Sequence, residues 1–341
     1  MAYASSFDLV KLYAPSRLNY RKQIKQRKQR FVVFSSQNGA VPTAVKKLKV
    51  AYQGVPGAYS EFAAKTACPD CTPLPCRAFL DAITAVEEGK ADLAVLPVES
   101  TMEGTALRNY DLLLRHDLPI VQEVSMYVHY CLLAMPGVQK GELKKVISHP
   151  LALAHCGRAL AQLGVDHEAV EDTAGAVELL LSNRMLDTAA IASSQAALLY
   201  GLDVLAQDVQ DESWNVTRFL ILSKDKSIPK KNKFGSKTSL VVAHHTGTLT
   251  VLLKLLSAFS ARNINLTKLE VNPSRTDGPV LVLDPKEGGP LKEFPCVLYV
   301  DFEGSMDDQK IKDALAEISE FPVFIRTLGS YSCDPHIYGL Q

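Results

Sequence analysis

The most constraining feature of this sequence is a repeated pattern: a short apolar strand, a turn of small or hydroxyl residues, and then a helix. The turns fall at residues 54–60, 100–105, 148–150 and 173–176. Alternating short strands and helices are typical of α/β domains with mostly parallel sheets. Because the carboxyl ends of parallel strands face one crevice, we expect these four turns to meet there. A break near Gly137 divides this part of the chain into two predicted lobes.

A charged segment with Pro and Gly, residues 224–237, is predicted to link this part to a second domain. The second domain has the β-α-β-β-α-β order that is typical of the ferredoxin-like α+β fold. Its predicted strands cover residues 238–243, 266–271, 296–302 and 323–330, and its predicted helices cover 249–262 and 307–321. Residues 278–295 are predicted to be a loop-rich insertion, and residues 332–341 a tail.

Charge is divided unevenly along the chain, although the formal net charge is zero. Residues 1–47 carry ten Lys or Arg and one acid, Asp8, which leaves a net charge of about −9 on residues 48–341. A net-negative folded part argues against nucleic-acid binding, and no apolar run reaches the roughly 18–20 residues of a membrane span. The basic leader lacks an apolar core and resembles an organelle transit peptide; a disordered basic tail is the alternative.

The side chains that could carry chemistry do not form a cofactor motif. Seven cysteines are an odd number, which predicts free thiols in a reducing compartment. Cys68, Cys71 and Cys76 lack a full set of zinc ligands, and redox sensing is their alternative role. The turn at residues 54–57 matches neither a dinucleotide motif nor a phosphate loop, and Ser148 beside His149 is a poor nucleophile–base pair. We therefore expect a metal-free, cofactor-free activity that needs binding, orientation and at most one proton transfer.

The densest group of candidate site residues precedes the apolar run at residues 220–222. Asn215, Thr217 and Arg218 place an amide, a hydroxyl and a guanidinium at the mouth of a predicted buried strand, where a small ligand can be held rigidly. The helix N-termini after the four turns add N–H groups and partial positive charge, which bind carboxylates. The alternative for each hydroxyl is helix capping alone. Together, these features predict a site for a small anionic ligand.

Several motifs in this order carry a resemblance to a known family. They are Gly54-x-x-Gly57-x-Tyr59-Ser60-Glu61, Ser148-His149-Pro150, Asp172-Thr173-Ala174 and Thr217-Arg218-Phe219, ahead of the ferredoxin-like domain. Over about residues 48–331 the chain resembles the prephenate dehydratase family, in particular its plant branch of arogenate dehydratases. The resemblance implies a two-lobed catalytic domain like the type II periplasmic binding proteins at 48–223, an ACT domain at 238–331 and a transit peptide at 1–47.

The resemblance also implies an activity and a site. The expected reaction removes CO2 and water from arogenate, giving phenylalanine, or from prephenate, giving phenylpyruvate, without a cofactor. Thr217 would assist the departure of the ring hydroxyl. The residues expected to line the substrate site are Tyr59, Ser60, Ser100, Thr101, Thr105, Ser148, Thr173, Asn215, Arg218 and Phe219. Those expected to bind phenylalanine as an effector are Gly247, Leu249, Asn263, Leu266 and Glu270. A homodimer or homotetramer in the chloroplast stroma follows from the same resemblance.

The sequence departs from the family pattern in three places. Glu99-Ser100-Thr101 stands where the family commonly has Glu-Asn-Ser, and Leu151 stands where a glutamine often follows Ser-His-Pro. Both changes bear on the choice between arogenate and prephenate. Residues 270–273 read Glu-Val-Asn-Pro instead of Glu-Ser-Arg-Pro, which predicts weakened feedback. The alternatives are a catalytically silent phenylalanine-sensing or interaction protein and a solute-binding module of the periplasmic type.

Overall fold

A computed structural model describes residues 47–225, 235–245, 248–274, 278–287 and 289–339 of the chain. These residues belong to one compact unit. The predicted leader, apart from Lys47, and residues 226–234 of the predicted linker lie outside the described residues. None of the helices in the described part is long and apolar enough to cross a membrane.

Residues 47–225 contain eleven strands and seven helices. The strands are β1 (Lys49–Gln53), β2 (Thr72–Cys76), β3 (Leu93–Ser100), β4 (Gly104–Thr105), β5 (Ile120–Tyr127), β6 (Cys131–Ala134), β7 (Lys145–Ser148), β8 (Asp166–Ala169), β9 (Thr188–Ala192), β10 (Asp203–Ala206) and β11 (Val216–Leu222). The helices are α1 (Tyr59–Ala67), α2 (Phe79–Glu87), α3 (Leu107–Arg115), α4 (Pro150–Ala154), α5 (Gly157–Leu163), α6 (Thr173–Asn183) and α7 (Ser194–Tyr200).

These elements form two lobes with the same sheet plan. In the first lobe, β2, β1 and β3 are parallel neighbours, and β11 pairs antiparallel with β3 on one side and β5 on the other. In the second lobe, β8, β7 and β9 are parallel neighbours, β6 is antiparallel to β9, and β10 is antiparallel to β6. Because β11 enters the first lobe after the chain has built the second, two chain crossings join the lobes. The predicted α/β architecture is therefore present.

The strands at the centre of the first lobe are buried on both faces, which explains why they read as apolar runs. Val50 and Tyr52 of β1 pack in a cluster that includes Ala63 of α1. Ala51, between them, packs in a different cluster that includes Ile83 of α2. Alternate side chains of one strand thus serve opposite helical layers, as the two-residue period of a strand requires.

The C-terminal module, defined as residues 236–332, has the predicted β-α-β-β-α-β order with one addition. Its elements are β12 (Ser236–Ala243), α8 (Thr248–Ser260), β13 (Leu266–Pro273), β14 (Val280–Leu283), β15 (Leu291–Phe294), β16 (Cys296–Glu303), α9 (Gln309–Ser319) and β17 (Phe324–Ser332). Its sheet has the order β13-β16-β12-β17, and α8 and α9 pack on one face of it.

The segment predicted as a loop-rich insertion contains the β14–β15 hairpin. Val280, Val282 and Phe294 of this hairpin are buried in the same cluster as Leu113 and Leu114 of α3. Packing against another part of the chain therefore orders a segment whose Gly and Pro residues favour loops.

The module continues the sheet of the first lobe. β17 lies beside β5, with Ser332 paired to Gln122. Gly329 makes the approach possible, because a Cβ at this position would collide with the backbone oxygen of Ile120. The predicted tail is wrong in one respect, since Ile337–Tyr338 form a short strand, β18, that also pairs with β5.

The helix predicted over residues 151–163 is two helices. α4 ends at Ala154 and α5 begins at Gly157, because Cys156 has a non-helical backbone (φ −115°, ψ 25°). The interruption turns His155 toward the first lobe, where it matters for the site described next.

Candidate active site

A cavity of about 590 Å³ lies between the two lobes. Its wall includes residues at or beside all four turns singled out in the sequence. They are Ala58, Tyr59 and Ser60 after β1; Ser100, Glu103, Gly104 and Thr105 at and after the end of β3; His149 and Leu151 after β7; and Asp172 and Thr173 after β8. The ends of these strands therefore meet as the parallel-sheet rule predicts. The volume is within the usual range for small-molecule sites.

The structure brings most of the predicted substrate residues to this wall. Eight of them line the cavity: Tyr59, Ser60, Ser100, Thr105, Thr173, Asn215, Thr217 and Phe219. They come from both lobes, so a ligand in the cavity would touch both.

Thr217 has an available hydroxyl in this wall. It is half-buried on β11, paired with Ser100 on β3 and with Met126 on β5. Within the described part of the chain, its hydroxyl makes no hydrogen bond, whereas the nearby Ser100 Oγ accepts one from the Glu103 N–H at 2.9 Å. Two strand neighbours hold the Thr217 backbone, so its hydroxyl is a rigidly placed donor for a ligand.

Asn215 and Tyr130 form a polar pair beside Thr217. Asn215 is 3% exposed, and its amide lies close enough to the Tyr130 phenol to lower the pKa of that phenol, although burial outweighs this effect. Burial raises the pKa of the Tyr130 phenol, which keeps it a neutral donor. The Tyr130 ring also meets the Tyr59 ring edge-on, with centroids 5.9 Å apart. One side of the cavity is thus aromatic, with amide and phenol groups at its edge.

Three residues predicted to contact substrate lie elsewhere. Ser148 is fully buried and its hydroxyl donates to the Ile191 carbonyl at 2.6 Å, which ties β7 to β9. Thr101 donates to the Trp214 carbonyl at 2.7 Å and accepts from the Val216 N–H at 3.0 Å. Both hydroxyls are used within the protein, and neither residue lines the cavity.

Arg218 is the third correction. Successive side chains of a strand point to opposite faces, so Thr217 and Phe219 face the cavity while Arg218 points toward the C-terminal module. Its guanidinium donates to Glu123 at 2.8 Å and Glu99 at 3.1 Å. From the module, Asp301 and the Tyr331 hydroxyl accept at 2.8 Å each. Arg218 therefore joins the first lobe to the module and is not available to a ligand.

Most acidic side chains of the cavity wall already have a cation or a hydrogen-bond donor as partner. Burial raises the pKa of Glu99, but Arg218 and Lys268 outweigh it and hold that pKa below its usual value. Asp172 accepts from the N–H groups of Ala174 and Gly175 at the start of α6. Gly54 allows Asp172 its position, because a Cβ on Gly54 would lie 2.8 Å from the carboxylate.

The positive features of the wall converge at one end. Arg77 is exposed, lines the cavity and precedes α2, whose N-cap Ala78 offers no capping side chain. The N-terminus of α1 is likewise uncapped by a side chain, because its N-cap is Ala58. By contrast, His149 caps α4 and Asp172 caps α6. The Asp81 and Glu61 carboxylates, however, already accept the Ala78 and Gly57 N–H groups at 3.0 and 2.7 Å. Arg77, rather than either helix N-terminus, therefore favours a carboxylate ligand here.

A second pair bridges the lobes. His155 Nε2 lies 2.7 Å from Glu103 Oε1, and both residues line the cavity. The predictions from sequence did not include these residues, Arg77 or Lys268. Arg77 directly precedes a predicted helix, which was a usable signal; the others depend on contacts between distant segments.

The predicted effector residues do not share one environment. Leu249 is 67% exposed on α8, and Leu266 packs against the module's core. Asn263 follows α8 with a left-handed backbone, φ 49°. Glu270 accepts a hydrogen bond from Thr105 at 2.7 Å and so faces the first lobe. Gly247 lies outside the described residues.

A two-lobed α/β region that holds a largely apolar cavity with a few polar groups between its lobes, followed by a ferredoxin-like module, is the architecture of a protein that acts on a small ligand. Residues 50–227 match the prephenate dehydratase family, and the chain belongs to that family. The family predicted from the motifs is thereby confirmed, and with it a dehydratase.

A curated relative and a solved structure with dehydratase names support this assignment, and one further structure that matches has a different description. The chain is 52% identical over 295 residues to arogenate dehydratase/prephenate dehydratase 6, chloroplastic, of Arabidopsis thaliana, covering 86% of this chain and 71% of that protein. The structure of prephenate dehydratase from Arthrobacter aurescens in complex with L-Phe matches with a TM-score of 0.71 at 26% identity, over 85% of this chain and 93% of that one. A structure described as a quorum-quenching acylase matches with a TM-score of 0.72 at 31% identity, over 84% and 98%.

Proposed function

We propose that the protein is an arogenate dehydratase that converts L-arogenate to L-phenylalanine, the last step of phenylalanine biosynthesis, and that prephenate is its second substrate. The observation that carries the proposal is the Thr217 hydroxyl, which stands in the cavity wall opposite Ser100 without a hydrogen bond to the described protein. The family and the 52% identity to a dehydratase support the same reaction.

The chemistry needs little more than this arrangement. As the ring carboxylate leaves as CO2, its bonding electrons move into the ring, and the C4–OH bond breaks with the electron pair on oxygen. The departing hydroxide takes up one proton and leaves as water. A hydrogen bond from Thr217 to that oxygen strengthens as negative charge develops, so it stabilises the transition state more than the substrate. Aromatisation supplies the driving force.

The substrate carries two carboxylates, and the wall offers them a cationic end. Arg77, which is exposed in the cavity wall, supplies the positive charge there. We assign this end to a substrate carboxylate and the Thr217–Ser100 region to the ring hydroxyl. Tyr59, Phe219 and Tyr130 supply apolar surface for the ring.

For the domains, we propose a catalytic domain at 48–223 and an ACT domain at 238–331. The two lobes share one sheet plan, and β11 joins the first lobe after the chain has built the second. Both features support a fold like the type II periplasmic binding proteins. The strand order of the module, and the phenylalanine bound by the related bacterial enzyme, support a phenylalanine-sensing role. A plastid location, with the stroma as compartment, is supported by the chloroplastic relative.

We also propose a homodimer, or a dimer of dimers, formed through the module. β13 ends the sheet of the described strands and exposes Leu269 and Val271. Leu249 and Leu253, one helical turn apart on α8, are 67% and 59% exposed. An open sheet edge beside exposed apolar side chains favours association with a second copy.

The test of the proposed activity is turnover of arogenate and prephenate by the full chain and by Thr217→Val. Valine keeps the shape but removes the hydroxyl, so kcat should fall about 10²–10³-fold while the melting temperature stays within a few degrees. Thr217→Ser, which keeps the hydroxyl, should retain more activity than the valine variant. Equal turnover by Thr217→Val and the wild type would exclude this role. A wild-type chain inactive on both substrates that still binds phenylalanine would favour the silent sensor.

A further inference from the structure

The C-terminal module contacts the wall of the cavity through side chains of β13, first among them a lysine. Lys268, on β13, donates from Nζ to Glu99 Oε2 at 2.7 Å and to Thr105 Oγ1 at 2.7 Å. Both acceptors line the cavity. The lysine side chain is only 10% exposed, so water does not screen these contacts strongly.

Glu270 completes the arrangement from the same face of β13. Thr105 donates its hydroxyl hydrogen to Glu270 Oε2 at 2.7 Å while it accepts from Lys268. The side chains at 268 and 270 point the same way because a strand has a two-residue period. One hydroxyl of the wall is therefore oriented by a donor and an acceptor that both belong to the module.

These contacts fix the part of the wall that faces Thr217. Glu99 is paired with Thr105, and Ser100 with Gly104, in the β3–β4 hairpin. Ser100 is also the residue opposite Thr217 on β11. A bond that holds Glu99 and Thr105 consequently supports the hairpin that carries Ser100, the strand partner of Thr217.

We infer that Lys268 is a positioning residue of the active site, through which the C-terminal module holds the Glu99–Thr105 hairpin in place opposite Thr217. It does not touch the reacting atoms; it acts through Glu99 and Thr105. The inference rests on the proposed function only for the reaction it serves, since the contacts themselves are independent of the substrate.

The inference gives the module a direct means of changing the cleft. The strand that carries Lys268 and Glu270 also carries Leu266, which is predicted to contact phenylalanine. A ligand that displaces β13 by even one ångström would loosen both 2.7 Å hydrogen bonds of Lys268. Binding of a ligand to the module would then change the geometry of the cleft within the same protomer.

The experiment compares Lys268→Met with Lys237→Met in the full chain. Lys237 is a matched control: it comes from the same module, its side chain is 14% exposed, and it pairs with Glu123, which does not line the cavity. Lys268→Arg tests rescue by a cation of different shape. The readouts are kcat and KM on arogenate, and hydrogen–deuterium exchange of residues 99–105 without ligand.

Lys268→Met should lower kcat/KM by about tenfold or more, with faster exchange at 99–105, and Lys268→Arg should recover part of both. Lys237→Met should stay within about threefold of wild type, with unchanged exchange there. Equal kcat/KM losses and equal exchange in the two methionine variants would overturn the inference. A wild type without turnover would refute the proposed function alone, because the exchange difference would still support or overturn the role of Lys268.

Discussion

Replacing Arg218 by methionine is expected to destabilise the fold, although the residue adjoins Thr217 in the sequence. Arg218 is 8% exposed and bonds two residues of the first lobe and two of the module. Glu99 would keep Lys268, and Glu123 would keep Lys237. Among the ion pairs of the described residues, Arg218 is the only cation paired with Asp301, which is 2% exposed.

The expected loss of stability follows from the Asp301 carboxylate, which would lose its only cation among the described ion pairs. Removing one partner of a buried ion pair costs about 3–5 kcal/mol, because the remaining charge stays desolvated. For a chain of this size each kcal/mol lowers the melting temperature by about 2–4 °C, so a fall of about 6–20 °C is expected. Asp301→Asn in the Arg218→Met background should recover part of the loss, since the neutral amide does not need the cation.

The assay is thermal unfolding of wild type, Arg218→Met, the double variant and Thr217→Val, with activity measured well below each transition. Thr217→Val should unfold like wild type, because its hydroxyl makes no hydrogen bond to the described protein. The Arg218 variant would then lose stability, whereas the Thr217 variant would keep its stability and lose activity. An Arg218→Met protein that melts with wild type but has lost substrate affinity would refute the structural role and restore the substrate contact predicted from the sequence.

Three further predictions follow from the site and the surfaces. Arg77→Gln should raise KM about tenfold for arogenate, because a charged hydrogen bond to a carboxylate is lost, with little change in melting temperature. Burial lowers the pKa of His149, whose Nδ1 accepts from the Leu151 N–H, so the unfolded state takes up a proton first as pH falls. Stability should therefore be complete above about pH 6.5 and decrease below it, and His149→Asn should reduce that decrease in melting curves recorded from pH 7.5 to 5. Leu253→Asp should convert the proposed dimer to a monomer, whereas Leu198→Asp, at a residue of the second lobe that is 79% exposed, should leave the mass unchanged; light scattering measures both.

The strand and helix order could be predicted because it is a local property. Buried strands read as apolar runs, and Gly201 marks the end of α7 in a left-handed conformation, φ 68°. The sequence did not predict strands β2, β8 and β10. Their residues are exposed or intermediate in burial, without the apolar run that identifies β3.

The composition of the cavity wall was predictable from the position of the turns, but its exact membership was not. The rule for parallel strands gathers the four turns without saying which hydroxyl points inward. Ser148 illustrates the limit: it ends β7 as expected, yet it bonds to the neighbouring strand. Lys268 and Glu99 meet across 169 positions, and nothing in either segment alone indicates that contact.

The error at Arg218 has a different origin, because the information was present in the sequence. A strand with Thr217 and Phe219 toward a ligand must turn Arg218 to the other face, and that face needed a partner. The partner is the module, whose Asp301 is buried on β16. Adjacent side chains of β11 therefore face the cleft and the module alternately. Glu99, at the cavity wall, pairs with both Arg218 and Lys268. A displacement of the module must then act on both strands that carry Thr217 and Ser100, which gives the proposed regulatory domain a physical link to the proposed active site without a contact to the substrate.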